Sequence, residues 1–323
     1  MKNKFLHIAI LFAAFCCANI SDLRAQEKEH IVFYPQWTPQ SQFLGFYVAQ
    51  ELGYYSDEGL DVEIRHIGFT EKETVMSKLI SGEANIVGQQ LLQSIVSRSE
   101  GLPIVNVMQT TQNCGLCCVA NKPLNTPSDL NGLKISRWSA GYAETTEIIE
   151  NDMRLHIDWI PSFGSTNLYL FGAVDATLCY TYSEYYKILY AKGSIPEENV
   201  LRFGDFGFNY PEDGLYVTES YYAEHKDAIE KFIRASQKGW QYVREHENEA
   251  IQHVFKYTEL DHINTNLAFE KSMCNEYLRL QVNPATGEAD FAPVSENVFN
   301  EIVVKMKDNG LIETSVNYKD FVR

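Results

Sequence analysis

The chain has 323 residues, of which 45% are hydrophobic and 22% charged, and its formal net charge is −16 at pH 7. This composition excludes a disordered chain, because there is enough apolar surface for a core, and the length allows one large domain or two ordinary ones. The acidic balance and the lack of any Lys/Arg-rich run exclude nucleic acid as a partner, since phosphate binding requires clustered positive charge.

The first 25 residues have the pattern of a secretory signal peptide. Lys2 and Lys4 form a basic start, an apolar run covers 5–18, and Ala25 is the small residue before the cleavage point. The run is shorter than the roughly 20 residues that a membrane-spanning helix needs. We therefore expect residues 1–25 to be removed and the mature protein to be soluble and periplasmic, or otherwise exported.

The seven cysteines do not predict a disulfide framework. Phe15 before Cys16 makes a poor lipid-attachment box, so a lipid anchor on Cys16 or Cys17 is not favoured. The cysteines that follow the signal peptide are odd in number, so at least one thiol should stay free. They are Cys114, Cys117, Cys118, Cys179 and Cys274.

Predicted strands and helices alternate along the rest of the chain. Strands are predicted where apolar and β-branched residues cluster, at 31–34, 60–64, 85–88, 102–109, 114–120, 133–138, 174–180 and 213–222. Helices are predicted where apolar residues recur with helical spacing, at 43–55, 70–84, 90–101, 141–153, 181–193 and 223–255. The helix over 70–84 should begin with a capping box that pairs Thr70 with Glu73. The alternation predicts parallel sheets with helices on both faces, the α/β class.

The order of the elements also predicts two lobes. The pattern of strand and helix starts again near residue 118, and a final strand and long helices follow near residue 216. We therefore expect lobe 1 to consist of 26–117 and 216–323, and lobe 2 to consist of 118–215.

Six short stretches carry a family resemblance when taken in order. They are WTPQSQFLGFYVAQELGYYSDEGLDVEI (37–64), LISGEANIVGQQ (79–90), GLPIVNV (101–107), PSDLNGLKIS (127–136), VDA (174–176) and PEDGLYVT (211–218). The chain resembles the periplasmic substrate-binding proteins related to the fungal thiamine-pyrimidine synthase, well over 30–245 and weakly beyond. The resemblance implies the two-lobed type II periplasmic binding protein fold, in which each lobe is a sheet flanked by helices and the ligand is clamped between the lobes.

This family contains enzymes as well as binding proteins. The fungal enzyme holds pyridoxal phosphate on a lysine and consumes a histidine of its own chain; the resemblance places these at Gln89 and Gln93. An amide can neither form a Schiff base nor supply an imidazole. The family's cysteine-rich loop would fall at FNYPEDG (208–214), which has no cysteine. The resemblance therefore favours a binding protein without catalytic residues or a cofactor.

The stretch QNCGLCC (112–118) holds three of the thiols and leads into the predicted strand at 114–120. Because side chains alternate along a strand, Cys114 and Cys118 should point one way and Cys117 the other. A metal site needs about four convergent ligands, and no His or second Cys pair stands at matching spacing. Apolar packing near the hinge is favoured over a metal site or a disulfide, and no metal site is predicted.

In this fold, ligands lie beyond the carboxyl ends of strands, where helices begin. The candidate ligand-binding residues that stand at such points are Trp37, Gln42, Phe43, Gln89, Gln90, Trp138, Ser139, Tyr142, Tyr180, Tyr182, Glu184 and Asp213. Trp37 could stack on a flat ring or belong to the core. Glu184 could hold an amine-bearing group, as the Tyr-x-Glu of similar family members implies, or could be a first-turn acid that the helix dipole favours. Ser139 and the amides that follow could hold an anionic group.

Taken together, these patterns indicate an exported, monomeric solute-binding protein of an ABC importer. It should bind a small flat ring compound, best a thiamine-pyrimidine precursor, and deliver it to a membrane permease. Three alternatives stay open: an enzyme that makes the thiamine pyrimidine from pyridoxal phosphate, a ligand sensor for a membrane kinase, and a binder of sulfonate, nitrate or riboflavin.

Overall fold

The computed structural model describes residues 28–68, 73–138, 143–162 and 164–323. The expected signal peptide, Thr70, Ser139 and Tyr142 lie outside these ranges.

The described residues form two five-stranded sheets. The strands are β1 (Glu29–Tyr34), β2 (Leu60–Ile64), β3 (Ile86–Gln90), β4 (Ile104–Gln109), β5 (Leu116–Ala120), β6 (Lys134–Arg137), β7 (Asp158–Pro161), β8 (Ala176–Tyr180), β9 (Val200–Arg202) and β10 (Asp213–Thr218). The first sheet has the order β2-β1-β3-β10-β4 and the second the order β7-β6-β8-β5-β9. We call the first sheet with its helices lobe 1 and the second lobe 2.

Helices cover the sheets, which confirms the α/β class. They are α1 (Leu44–Glu51), α2 (Tyr54–Asp57), α3 (Val75–Ser81), α4 (Leu91–Ser99), α5 (Glu144–Asp152), α6 (Asn167–Leu170), α7 (Glu184–Lys192), α8 (Glu219–Glu245), α9 (Glu247–Ala250), α10 (Gln252–Leu260), α11 (Leu267–Leu280), α12 (Glu296–Asp308) and α13 (Tyr318–Phe321). Short 3₁₀ helices add Ser41–Phe43, Pro127–Leu130, Glu197–Asn199 and Phe203–Phe206.

Each sheet contains one antiparallel strand, so the prediction of parallel sheets is wrong at these two places. In lobe 1, β10 pairs antiparallel with β3 and with β4. In lobe 2, β5 pairs antiparallel with β8 and with β9. Both strands follow a crossing of the chain from one lobe to the other. The neighbouring strands end at the cleft. A chain that enters the sheet from the cleft therefore runs antiparallel to them.

The two crossings are segments 110–115 and 203–212, which join β4 to β5 and β9 to β10. The expected boundaries after 117 and after 215 fall inside β5 and β10. Because each of these strands belongs to a single sheet, the change of lobe occurs a few residues earlier in both cases. We propose that the hinge lies in the two crossings.

The side-chain carboxyl group of Glu212 joins the two crossings through hydrogen bonds. One of its oxygens, Oε1, accepts the backbone N–H groups of Gly115 at 2.8 Å and of Leu116 at 3.1 Å. The backbone N–H groups of Glu212 and Asp213 both donate to Thr111 Oγ1, at 3.1 and 3.0 Å. The second crossing is thus bound to the side chain of Thr111 and the backbone of Gly115 in the first crossing, and to the backbone of Leu116 at the start of β5.

Helix α3 begins later than predicted. The helix starts at Val75, with Thr74 as the N-cap: Thr74 Oγ1 accepts Ser77 N–H at 3.1 Å, and Ser77 Oγ accepts Thr74 N–H at 3.0 Å. The expected start with Glu73 as the third helical residue is wrong, because Thr74 offers a cap closer to the apolar residues that the helix buries.

The start of α1 is held against α8 by two glycines. A Cβ added to Gly45 would lie 2.2 Å from the Trp240 ring, and one added to Gly239 would lie 2.0 Å from the carbonyl oxygen of Gly45. Trp240 is fully buried and its ring meets Phe46 edge to face at 6.0 Å. This close approach fixes the position of α1 against α8. It also fixes the position of the 3₁₀ turn before α1, and this turn reaches the cleft.

The thiols are distributed as the strand alternation predicts. Cys118 lies in a core cluster against which Cys114 packs, while Cys117 lies in another cluster together with Cys179. The Sγ atoms of Cys117 and Cys179 are 3.4 Å apart, and both thiols are free. Within the described ranges, no group of three or more His, Cys, Asp or Glu residues is arranged to hold a metal ion.

Candidate functional site

A pocket of about 390 Å³, counting its open mouth, lies between the lobes. Its walls come from the loop after β1, the end of β3, the residue after β6, and the β8–α7 turn. The lining residues are Gln36, Trp37, Gln40, Gln42, Gln90, Trp138, Tyr180, Tyr182, Ser183 and Glu184. The pocket thus gathers residues that the carboxyl ends of strands in both sheets position.

The structure brings most of the predicted site residues to this pocket. Trp37, Gln42, Gln90, Trp138, Tyr180, Tyr182 and Glu184 are among its lining residues. Phe43 is instead buried beside His66, with ring centroids 5.6 Å apart. The side chain of Gln89 turns back and accepts the N–H of Gln90 at 3.0 Å. Asp213 lies behind the wall rather than in it.

Two aromatic pairs shape the walls. Trp37 of lobe 1 meets Trp138 of lobe 2 edge to face, with centroids 5.1 Å apart. Tyr180 and Tyr182 stack with centroids 5.2 Å apart and an angle of 24° between their planes. Such surfaces suit a flat ring, because aromatic rings prefer offset-stacked and edge-to-face contacts.

Hydrogen bonds cross the cleft at two points. Gln90 Nε2 donates to Tyr180 Oη at 2.6 Å, and Gln42 Nε2 lies 3.4 Å from Tyr182 Oη. The glutamines belong to lobe 1 and the tyrosines to lobe 2. These bonds therefore stabilise the arrangement in which the lobes are close.

Glu184 occupies a position that fits both interpretations made from the sequence, at the start of a helix and in the wall of the pocket. It is the first residue of α7, and its carboxylate accepts the N–H of Tyr180 at 3.2 Å. Lys187 Nζ lies 3.9 Å away, yet Glu184 also lines the pocket and is 5% exposed. Its carboxylate is held at the helix start and still faces the space where a ligand would lie.

Asp213 supports the wall from behind. Its Oδ2 accepts Gln42 Nε2 at 2.5 Å and the hydroxyl of Tyr277 at 2.9 Å, and the residue is 2% exposed. Burial raises the pKa of Asp213 to about 6, although the hydrogen bonds from Gln42 and Tyr277 oppose the rise. At neutral pH the side chain is therefore a charged group that only accepts hydrogen bonds.

Sequence reasoning missed Gln36, Gln40, Ser183 and Tyr277. The first two stand in the loop after β1, beside Trp37, and their position after a strand was a usable signal. Tyr277 lies on α11, in the C-terminal part where the family resemblance is weak. Its only signal is the helical spacing of buried residues, which does not tell a core residue from a site residue.

The charge of the pocket is negative or neutral over its described part. None of the described lining residues is Lys, Arg or His. Ligands with an amino group can find acceptors here, whereas a small oxyanion would meet no cationic side chain among these residues.

In the described ranges, no helix combines the length and the apolar character that a membrane crossing needs.

Comparison with known proteins gives a consistent picture. The sequence profile of the family described as NMT1/THI5 like matches residues 40–250. A formylaminopyrimidine-binding protein of Halalkalibacterium halodurans is 27% identical over 258 residues, which cover 76% of each chain. The riboflavin-binding protein RibY of Chloroflexus aurantiacus is 23% identical over 292 residues, which cover 87% of this chain and 81% of that protein.

Solved structures agree on the fold. The periplasmic aliphatic sulphonate binding protein SsuA from Escherichia coli superimposes with a TM-score of 0.67 at 13% identity, over 92% of each chain. This likeness confirms the two-lobed periplasmic binding protein fold.

Proposed function

The chain belongs to the NMT1/THI5-like family, and from this premise we propose that it is an exported solute-binding protein of an ABC importer. In this proposal the two lobes close over one small molecule and present it to a membrane permease. The protein acts as a monomer and does not alter its ligand. The curated relatives described above are both named as binding proteins, which supports binding rather than catalysis.

The proposed ligand is a thiamine-pyrimidine precursor, a hydroxymethyl or formylamino pyrimidine that carries an amino group. The observation that carries this proposal is the pairing of aromatic walls with the Glu184 carboxylate inside one interlobe pocket. Trp37, Trp138 and the two stacked tyrosines can cover a single ring. The carboxylate can accept hydrogen bonds from an amino substituent.

The contact between the two tryptophans favours one ring over a larger ring system. Trp37 meets Trp138 edge to face and closes one side of the pocket. A three-ring flavin would have to part these indoles. The pocket therefore argues against riboflavin, although one relative is named for that ligand.

The same residues argue against two other candidates. A sulfonate or nitrate would need positive side chains, and the described lining residues include none. An enzyme of the fungal type would need an amine at Gln89, whose amide oxygen accepts a backbone N–H.

Calorimetric titration of the mature protein would test the ligand. We expect the amino-bearing hydroxymethyl and formylamino pyrimidines to bind, and riboflavin and an alkanesulfonate to bind at least about 100-fold more weakly. Glu184→Gln should weaken pyrimidine binding about 10-fold or more, since a charged acceptor is lost. Glu224→Gln, an exposed helix position, is the matched control. A sulfonate that binds while every pyrimidine fails would overturn the proposal.

A further inference from the structure

Three side chains form a directed line of hydrogen bonds from the core to the pocket. Gln42 Nε2 donates to Asp213 Oδ2 at 2.5 Å, and Gln40 Nε2 donates to Gln42 Oε1 at 2.5 Å. Gln40 and Gln42 line the pocket, while Asp213 lies behind them. We call these three residues the amide relay.

The chemistry of Asp213 fixes the direction of this relay. An ionised carboxylate can only accept, so the Gln42 amide has to turn its NH₂ group toward it. The carbonyl oxygen of Gln42 then faces Gln40 and can only accept, so Gln40 turns its own NH₂ group inward. The carbonyl oxygen of Gln40 is left as the end of the relay, and among the described residues no donor reaches it.

The surroundings hold the relay in place. Gln42 is 4% exposed and stands in the 3₁₀ turn Ser41–Phe43. Both Ser41 N and Ser41 Oγ donate to Glu270 Oε2, at 2.8 and 2.6 Å, which anchors that turn to α11. Tyr277 of the same helix donates to Asp213 at 2.9 Å. The amide of Gln42 thus has little freedom to move away from Asp213.

We propose that Asp213, acting through Gln42 and Gln40, fixes one wall of the pocket as a hydrogen-bond acceptor and thereby selects ligands that present an N–H donor to it. Asp213 is a positioning residue in this proposal, not the direct ligand contact expected from the sequence. Glu184 supplies a second acceptor, so the pocket distinguishes an amino-substituted ring from a ring of similar size without an N–H donor. The inference rests on the proposed function, because it names the feature of the ligand that the same pocket reads.

The binding test compares two probes that differ in one substituent. The first is 4-amino-5-hydroxymethyl-2-methylpyrimidine, and the second is its 4-methyl counterpart, in which a group of similar size replaces the amino group and no N–H donor is left. At pH 8 we expect the wild type to bind the amino compound about 10-fold more tightly. In Asp213→Asn the amide groups of the relay can be oriented in either direction. The ratio of the affinities for the two probes should therefore fall below about threefold. Asp175→Asn, on the exposed surface of lobe 2, should keep the wild-type ratio.

A folded Asp213→Asn variant that keeps the full ratio would overturn the inference, even if both affinities fall together. A wild type that binds neither probe, and does not bind the formylamino pyrimidine, would overturn the proposed function. The relay itself would then be judged by a measurement that needs no ligand.

That measurement is the pH dependence of the side-chain NH₂ resonances of Gln40 and Gln42 in the free protein. Both should shift together with a midpoint near 6, where Asp213 gains a proton and can donate. Glu212, Tyr182 and Tyr277 also face this region; burial and the Asp213 carboxylate raise the pKa of Glu212 to about 8, and burial raises the pKa of both tyrosines. These groups titrate well above 6. Independent shifts, or a common shift that persists in Asp213→Asn, would contradict the relay.

Discussion

Trp37 and Trp138 meet across the cleft with their ring centroids 5.1 Å apart and their planes at 84°. The first ring belongs to lobe 1 and the second to lobe 2, so the contact exists only while the lobes are close. Both rings also line the pocket. In the proposed function, ligand binding and the closure of the lobes therefore depend on the same two side chains.

Replacing one of these rings should weaken ligand binding. We expect Trp138→Ala to lower the affinity for the pyrimidine ligand about 10- to 100-fold, because both a wall of the pocket and an interlobe contact are lost. Calorimetric titration measures the effect. Trp159→Ala is the matched control, since Trp159 contacts Arg137 and Glu150 outside the pocket. Equal losses in the two variants would show that the effect comes from a damaged lobe 2.

The hydrogen bond from Gln90 to Tyr180 should affect the release of the ligand more than its capture. Tyr180→Phe removes a hydroxyl that accepts Gln90 Nε2 at 2.6 Å across the cleft. We expect the dissociation rate to rise about 3- to 10-fold, while the association rate changes little. Stopped-flow fluorescence of the pocket tryptophans would measure both rates. Tyr186→Phe, on α7 but not among the described lining residues, should leave them unchanged. A fall confined to the association rate would contradict the role in closure.

Much of the fold could be predicted because its signals are local. The strands of lobe 1 and helices α4 and α7 are marked by apolar periodicity and by glycines such as Gly193, which ends α7. The antiparallel placement of β10 could not be predicted in this way, because strand direction depends on where the chain crosses between lobes. Strands β7 and β9 were missed because both are short and lie at sheet edges.

The residues of the candidate site that stand at the ends of strands could be predicted from the sequence. Trp37, Gln90 and Glu184 stand directly after or at the end of a strand, and the structure brings them together. Phe43 follows the same rule but turns into the core, since adjacent residues of a helical turn face different sides. The hydrogen bond from Tyr277 to Asp213 depends on how α11 packs against β10. This packing is a tertiary contact, and no local sequence pattern indicates it.

Glu212 should make the stability of the protein fall as pH rises. Burial and the neighbouring Asp213 carboxylate raise the pKa of Glu212 to about 8, from an ordinary value of 4.5. Between these values the folded chain holds a proton that the unfolded chain has released, so the free energy of unfolding decreases with pH through this window. The contribution is on the order of a few kcal/mol and is lost progressively as pH rises from 4.5 to about 8.

Glu212→Gln tests this because glutamine stays neutral and can still accept the N–H groups of Gly115 and Leu116. Relative to the wild type, the variant should gain stability between pH 5 and pH 9. Urea unfolding followed by circular dichroism would measure the difference at each pH, with Glu224→Gln as the control. A difference that does not change with pH would mean that Glu212 is ionised throughout.

The glycine contact between α1 and α8 should be needed for both stability and binding. Gly45→Ala places a methyl group 2.2 Å from the buried Trp240 ring, so one of the helices has to move. We expect a loss of about 1–3 kcal/mol in the free energy of unfolding, the usual range for overpacking.

Because α1 carries the turn that holds Gln42, ligand affinity should fall as well, even at temperatures where the variant stays folded. Glu230→Ala, at an exposed position of α8, is the control and should change neither quantity. Thermal unfolding and titration at 15 °C measure the two effects separately, and a destabilised variant with unchanged affinity would show that the position of α1 does not control the pocket.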